Sequence, residues 1–189
     1  MRKNFGSRPM AYPMPVYIIG TYDENGTPDA MNAAWGGISE ENEISICVSA
    51  DHKTTLNLLK SGAFTVSMAT ADYVKACDYV GIVSANDVPN KLEIAGFHTV
   101  KSEFVNAPII CELPMAIECK LKSYDEDSCR LVGEIVNVSI DESYLNEKGK
   151  IDVVKLKPIT YDPSNHKYIA LGEAVGNAFS DGREIKNKK

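Results

Sequence analysis

The chain has 189 residues, 44% hydrophobic and 24% charged, with a formal net charge of −6 and a pI near 5.1. Its length reads as one domain that buries roughly 70% of the surface its unfolded form exposes, and its composition excludes disordered and collagen-like classes. The acidic balance argues against a nucleic-acid partner, which needs a basic face or stripe.

Residues 1–15 carry Pro9, Pro13 and Pro15, spaced too closely for a helix, and read as an extended arm of the kind that packs across a neighbour. Residues 16–22 (VYIIGTY) are dense in β-branched and aromatic side chains, and the polar run 23–26 turns them into a second strand as a hairpin. Residues 43–49 alternate, with Ile44, Ile46 and Val48 on one face and Ser45, Cys47 and Ser49 on the other. From Thr54 the period changes: Leu56, Leu59 and Ala63 fall at helical intervals, and Gly62 is a natural stop. Phe64, Val66 and Met68 resume a strand.

Residues 72–80 read as a short helix, followed by a polar loop at 84–90 and a helical turn over 91–95 that Gly96 ends. Residues 116–122 alternate Ala116, Glu118, Lys120 and Lys122 against Ile117, Cys119 and Leu121, and Asp125-Glu126-Asp127 turns them into 129–140 as a long hairpin. The stretch 151–171 holds short strand-like runs broken by Pro158 and Pro163, and the basic tail 183–189 is expected to fray. Strands outnumber helices, so the fold class is mainly β. A sheet of this many strands must cover or eliminate its edges, which predicts a closed antiparallel barrel with a few short helices.

Five cysteines without a C-x-x-C pair fit free thiols better than a disulfide framework or a zinc site. Three scattered histidines give no metal pattern, and neither G-x-S-x-G nor G-x-G-x-x-G occurs. No run of about 18 apolar residues is present and residues 1–10 lack a secretory apolar core, so a cytoplasmic protein without a membrane partner is expected.

The chemistry concentrates in residues 27–55. Asn32 offers hydrogen-bonding groups, Trp35 an aromatic surface, and Ala30, Ala33, Ala34, Gly36 and Gly37 leave room for a flat ring against the backbone. Lys53, Thr54 and Thr55 stand where a helix begins; a threonine cap, free backbone N–H groups and a lysine together suit a phosphate. His52 joins that anion site or caps the strand end. Read singly, Trp35 is a core or interface aromatic, Cys47 a small buried hydrophobe and the Lys-Thr-Thr run an ordinary helix start. Read as a set, ring and phosphate describe flavin mononucleotide.

The blocks VYIIGTYDENGTPDAMNAAWGG (16–37), CDYVGIVSANDVPNKLEIAGF (77–97), APIICELPMAIECKL followed by VGEIVNV, and YIALGEAVGNAF (168–179) resemble the flavin reductase-like family of FMN-binding split barrels. That group includes flavoredoxins and NAD(P)H-dependent flavin reductases. The resemblance implies a split β-barrel with bound FMN, or FAD, and NAD(P)H as electron donor. It implies that Ala30, Met31, Asn32, Ala33, Ala34 and Trp35 line the ring, and that Cys47 and Ser49 face the ring or ribityl chain. Lys53, Thr54 and Thr55 match the phosphate position, with Ser84 and Lys91 flanking a polar loop and Lys91 a second cation. Many relatives carry Thr where this chain has Asn32. A homodimer is also implied, with a small molecule or a redox protein as electron acceptor.

Overall fold

A computed structural model describes residues 1–186 of the chain. One ladder carries the fold: β1 (Tyr17–Tyr22), β2 (Pro28–Ala33), β3 (Gly36–Glu40), β4 (Glu43–Cys47), β5 (Ala63–Met68), β8 (Met115–Asp125) and β9 (Arg130–Ile140). They pair antiparallel in the order β2-β1-β5-β8-β9-β4-β3. The expected 23–26 hairpin forms, with Asp23 Oδ1 accepting from the backbone N–H groups of Asn25 and Thr27 at 2.9 and 2.8 Å.

The ladder is curled, because one core draws on strands from both of its ends. Tyr17, Ile19 and Ala33 from β1 and β2 meet Ile44 and Ile46 from β4, with Phe64, Ile117 and Leu131 between. Register shifts at Glu118/Cys119 and Leu121/Ser123 help the long β8–β9 hairpin bend. The ladder is the split barrel that the family resemblance implies, not the closed one that the strand count suggests: among the described residues β2 and β3 are its two ends and do not pair with each other. Only Ala34 and Trp35 separate these strands, and Cys47 N–H donates to Trp35 O at 2.8 Å, so the chain runs on from β2 into the β3–β4 pair at the far end of the ladder instead of turning back on β2.

A second core lies outside β1 and β2. Val16, Ile18 and Ala30 pack there against Cys77 and Val80 of α2 (Val74–Ile82) and Leu92 of α3 (Lys91–Ile94). Strand β1 is therefore buried on both faces, which is why VYIIGTY is continuously apolar rather than alternating. A short ribbon of β6 (Thr99–Lys101) and β7 (Pro108–Ile110) sits beside β5.

The hairpin of β10 (Ile159–Asp162) and β11 (Lys167–Ala170) follows a helical turn, α4 (Val153–Leu156), inside the stretch expected to be strands alone. The N-terminal arm docks on β10 of its own chain: Met14 N–H donates to Thr160 Oγ1 at 2.8 Å, and Tyr12 OH donates to Asp162 Oδ1 at 2.7 Å. In the basic tail, Arg183–Lys186 form one helical turn, α5, and residues 187–189 lie outside the described residues. Among the described residues no helix is long and apolar enough to cross a membrane.

Candidate functional site

Helix α1 (Lys53–Ser61) follows β4 through a turn in which His52 N–H donates to Ser49 O at 3.3 Å. His52 is its N-cap residue, without a side-chain cap bond, and Gly62 ends it at φ 68°. The threonine cap expected at position 54 or 55 is thus corrected. Thr54 Oγ1 donates instead to Asp29 Oδ2 on β2 at 2.6 Å, and Thr55 is fully buried on the core side. The buried face also differs from expectation, since Leu56 and Leu59 are exposed while Thr54, Thr55, Asn57 and Leu58 are buried.

The first intrahelical bond runs from Leu56 N–H to His52 O, so the N–H groups of Lys53, Thr54 and Thr55 have no acceptor within the helix. Lys53 and Thr54 adjoin a cleft of about 200 Å³ whose lining includes Met31, His52, Ser84 and Lys91. That lining holds two lysines, a histidine and no carboxylate. Together with the helix dipole, it favours an anion.

Across the cleft a buried ion pair ties three elements together. Lys91 Nζ lies 3.1 Å from Asp29 Oδ1, each side chain only a few per cent exposed. It also donates to Val80 O at 3.2 Å and Val83 O at 3.0 Å, the last turn of α2 and the residue beyond it. Asp29 Oδ1 has no neutral donor, so Lys91 alone compensates it. With its three ammonium protons so placed and its charge balanced by Asp29, Lys91 fixes the cleft wall, while Lys53 is the unpaired cation of the lining among the described residues.

Gly81 and Ile82 join this cleft to a second, of about 380 Å³, lined also by Asn32, Ala34, Asp78, Tyr161, His166 and Tyr168. Asn32 Nδ2 donates to Cys77 O at 3.2 Å, which sets the amide against α2. The far wall is the β10–β11 hairpin. Tyr168 OH donates to Asp78 Oδ1 at 2.7 Å, and burial followed by this bond pushes the phenol above its ordinary range. Tyr161 OH and His166 Nδ1 lie 2.8 Å apart, with His166 in the left-handed region at φ 53°. Ala34 in turn links to a third cleft, of about 570 Å³, that holds Trp35 and Cys47.

Met31, Asn32, Ala34, Trp35, Cys47, His52, Lys53, Thr54, Ser84 and Lys91 therefore line one continuous trough. Ala30 and Ala33 are buried in the outer and inner cores, Thr55 faces inward, and Ser49 stands in the turn before α1, so these four line none of it. Sequence reasoning did not single out Asp29, Asp78, Gly81, Tyr161, His166 or Tyr168. Only Gly81 left a local signal, as the glycine directly after the run read as a helix.

Among the described residues no group of three or more His, Cys, Asp or Glu is placed to hold a metal ion. All five cysteines are free. Burial pushes the Cys77 and Cys119 thiols up to about 12, leaving them unreactive at neutral pH.

The fold is that of the flavin reductase-like split barrels. The chain belongs to the flavin reductase-like family: residues 9–176 match the family model described as Flavin reductase like domain. It is similar to a solved flavoredoxin of Desulfovibrio vulgaris (Miyazaki F), 38% identical with a TM-score of 0.92 over 96% of this chain and 100% of that one. A flavoredoxin from Methanosarcina acetivorans is 27% identical with a TM-score of 0.85, covering 98% of both chains. Nitrilotriacetate monooxygenase component B from Bacillus cereus is 26% identical with a TM-score of 0.74, over 87% of this chain and 88% of that one.

Proposed function

We propose that this chain is an FMN-binding oxidoreductase whose flavin phosphate sits at the start of α1. The observation that carries the reading is the donor set there: three N–H groups free of intrahelical acceptors, Lys53 beside them and a lining without a carboxylate. These groups fit a phosphate ester. The adjoining cleft of about 380 Å³ fits a flat ring, bounded by Asn32, Ala34 and Gly81 on one side and the β10–β11 hairpin on the other.

When bound, the flavin supplies the redox chemistry, taking electrons from NAD(P)H and passing them to a free flavin or another acceptor. The chain's residues bind and orient. Lys53 and the first turn of α1 hold the anion, the Asp29–Lys91–Val83 clamp keeps α1 and α2 at a fixed separation, and Asn32 meets the ring edge. Tyr168 and Tyr161 close the cleft and limit water. No side chain is assigned as a general acid or base. A flavoredoxin-like carrier that draws electrons from a protein partner is the second reading, favoured by the 38% identity to a flavoredoxin. A homodimer is proposed as the functional unit, and analytical ultracentrifugation tests it.

The absorbance spectrum of the purified protein, followed by anaerobic addition of NADH or NADPH, tests the reading. Bleaching of the flavin band at roughly 450 nm supports the reductase; a stable band assigns the carrier. If flavin neither co-purifies nor binds when added, both readings fail. Chromatography of the released flavin separates FMN from FAD. Lys53→Ala is expected to weaken FMN binding about tenfold and riboflavin binding by much less, since a hydrogen-bonded charge is lost only to the phosphate. Equal losses would overturn the phosphate assignment.

A further inference from the structure

The third cleft lies beyond the two that the proposed phosphate and ring positions fill, although the family resemblance sets its Trp35 and Cys47 toward the ring. Trp35, Cys47 and Arg130 lie in a row across neighbouring strands: Cys47 N–H donates to Trp35 O at 2.8 Å, and Cys47 is the register partner of Arg130. Arg130 is aimed rather than loose, because its Nε–H donates to Ser45 Oγ at 3.0 Å. Arg8, on the N-terminal arm, faces the same space from the opposite side. The arm is held there by the Tyr12–Asp162 and Met14–Thr160 bonds.

The lining carries two guanidinium groups and no carboxylate, in a chain whose net charge is −6. Neither arginine is ion-paired among the described residues. The acid nearest in register, Asp125 opposite Arg130, accepts from Ser128 N–H at 3.0 Å, and the Arg130 charge is only a lesser cause of its lowered pKa. Trp35, the only tryptophan of the chain, is 56% exposed at this cleft. An exposed indole beside an oriented guanidinium presents a flat apolar surface and a fork matched to a carboxylate.

We propose that this cleft is a binding site for a small aromatic carboxylate, its ring against Trp35 and its carboxylate between Arg130 and Arg8. Because the cleft shares Ala34 with the ring cleft, the bound acid stands next to the flavin; that adjacency, unlike the binding itself, rests on the flavin reading.

The single tryptophan makes the site its own reporter. In flavin-free protein, 3-iodobenzoate is expected to quench Trp35 fluorescence saturably, while the neutral isostere 3-iodobenzamide binds about tenfold or more weakly. Arg130→Gln is expected to remove the preference for the acid. Arg8→Gln, at an exposed residue of the arm, is expected to reduce it severalfold. Equal affinity for acid and amide, or an undiminished preference in both variants, would overturn the proposal. A flavin spectrum that fails while the acid still binds would sink the flavin reading alone.

Discussion

The most consequential single residue in the trough is Lys91, and its role is set by burial rather than by charge alone. At 3% exposure its ammonium has exchanged water for Asp29, Val80 O and Val83 O. Lys91→Met would leave Asp29 as an uncompensated buried charge, which costs about 3–5 kcal/mol. Urea unfolding should show a loss of that size, and the double variant with Asp29→Asn should recover a large part of it, because asparagine still accepts from Thr54. A single variant that loses less than about 1 kcal/mol would show that the pair does not hold the cleft. Lys91 was legible as a candidate at the edge of the polar loop, but its partner was not. Asp29 lies 62 positions away in the chain, next to a proline in an unremarkable TPD triplet, and only the fold brings the two together.

At the level of elements, strong periodicity was legible and short or doubly buried pieces were not. The alternation of residues 43–49 placed Ile44, Ile46 and Val48 in the core, as found, because one face of β4 is wet. In β8 the same alternation misleads. Glu118 reads as solvent-facing beside Lys120 and Lys122, yet it is 1% exposed, accepting from Ser102, Asn137 and Ser139. Helix α1 misleads in the other direction, since the polar Thr54 is buried by its bond to Asp29 while Leu56 faces out. The trough wall from β10–β11 was invisible because Tyr161, His166 and Tyr168 acquire meaning only where the hairpin lies over α2. Helix α2 itself depends on Gly81, where an added Cβ would stand 2.7 Å from Asn32 Cβ. Gly81→Ala should therefore push α2 off β2, costing about 1–3 kcal/mol in spite of alanine's better helix propensity, and narrowing the ring cleft. Thermal unfolding and flavin titration measure the two effects. An unchanged or raised Tm with unchanged flavin affinity would show that the close approach is not maintained.

For the molecule as a whole, the balance of titrating groups sets the pH range over which the arm, the barrel and the trough stay assembled. On the acid side, the Tyr12 phenol and then the Asn165 amide hold Asp162 down to about 2 from an ordinary 3.8. Bonds from Ser128 and Ser143 hold Asp125 and Asp141 below their usual range in the same way. A carboxyl whose folded pKa is depressed contributes stability above its unfolded pKa and loses it as pH falls through the folded value. These contributions are therefore present above about pH 4 and lost on the way to about pH 2. On the alkaline side, burial raises Cys77 and Cys119 from 9.0 to about 12, and burial with the Asp78 bond raises Tyr168. Groups raised in the fold stabilise below their unfolded pKa and lose that contribution as pH climbs through the folded value, here from about pH 9 upward. The urea midpoint should thus be level between about pH 5 and 8 and fall on both sides. Tyr12→Phe removes the first cause of the Asp162 shift and one of the ties between arm and hairpin. In that variant Asp162, followed by carboxyl NMR, should titrate closer to 3.8, and Arg8 should be freed from its place at the third cleft. An Asp162 titration that does not move would show that the arm is not held to the body by this bond.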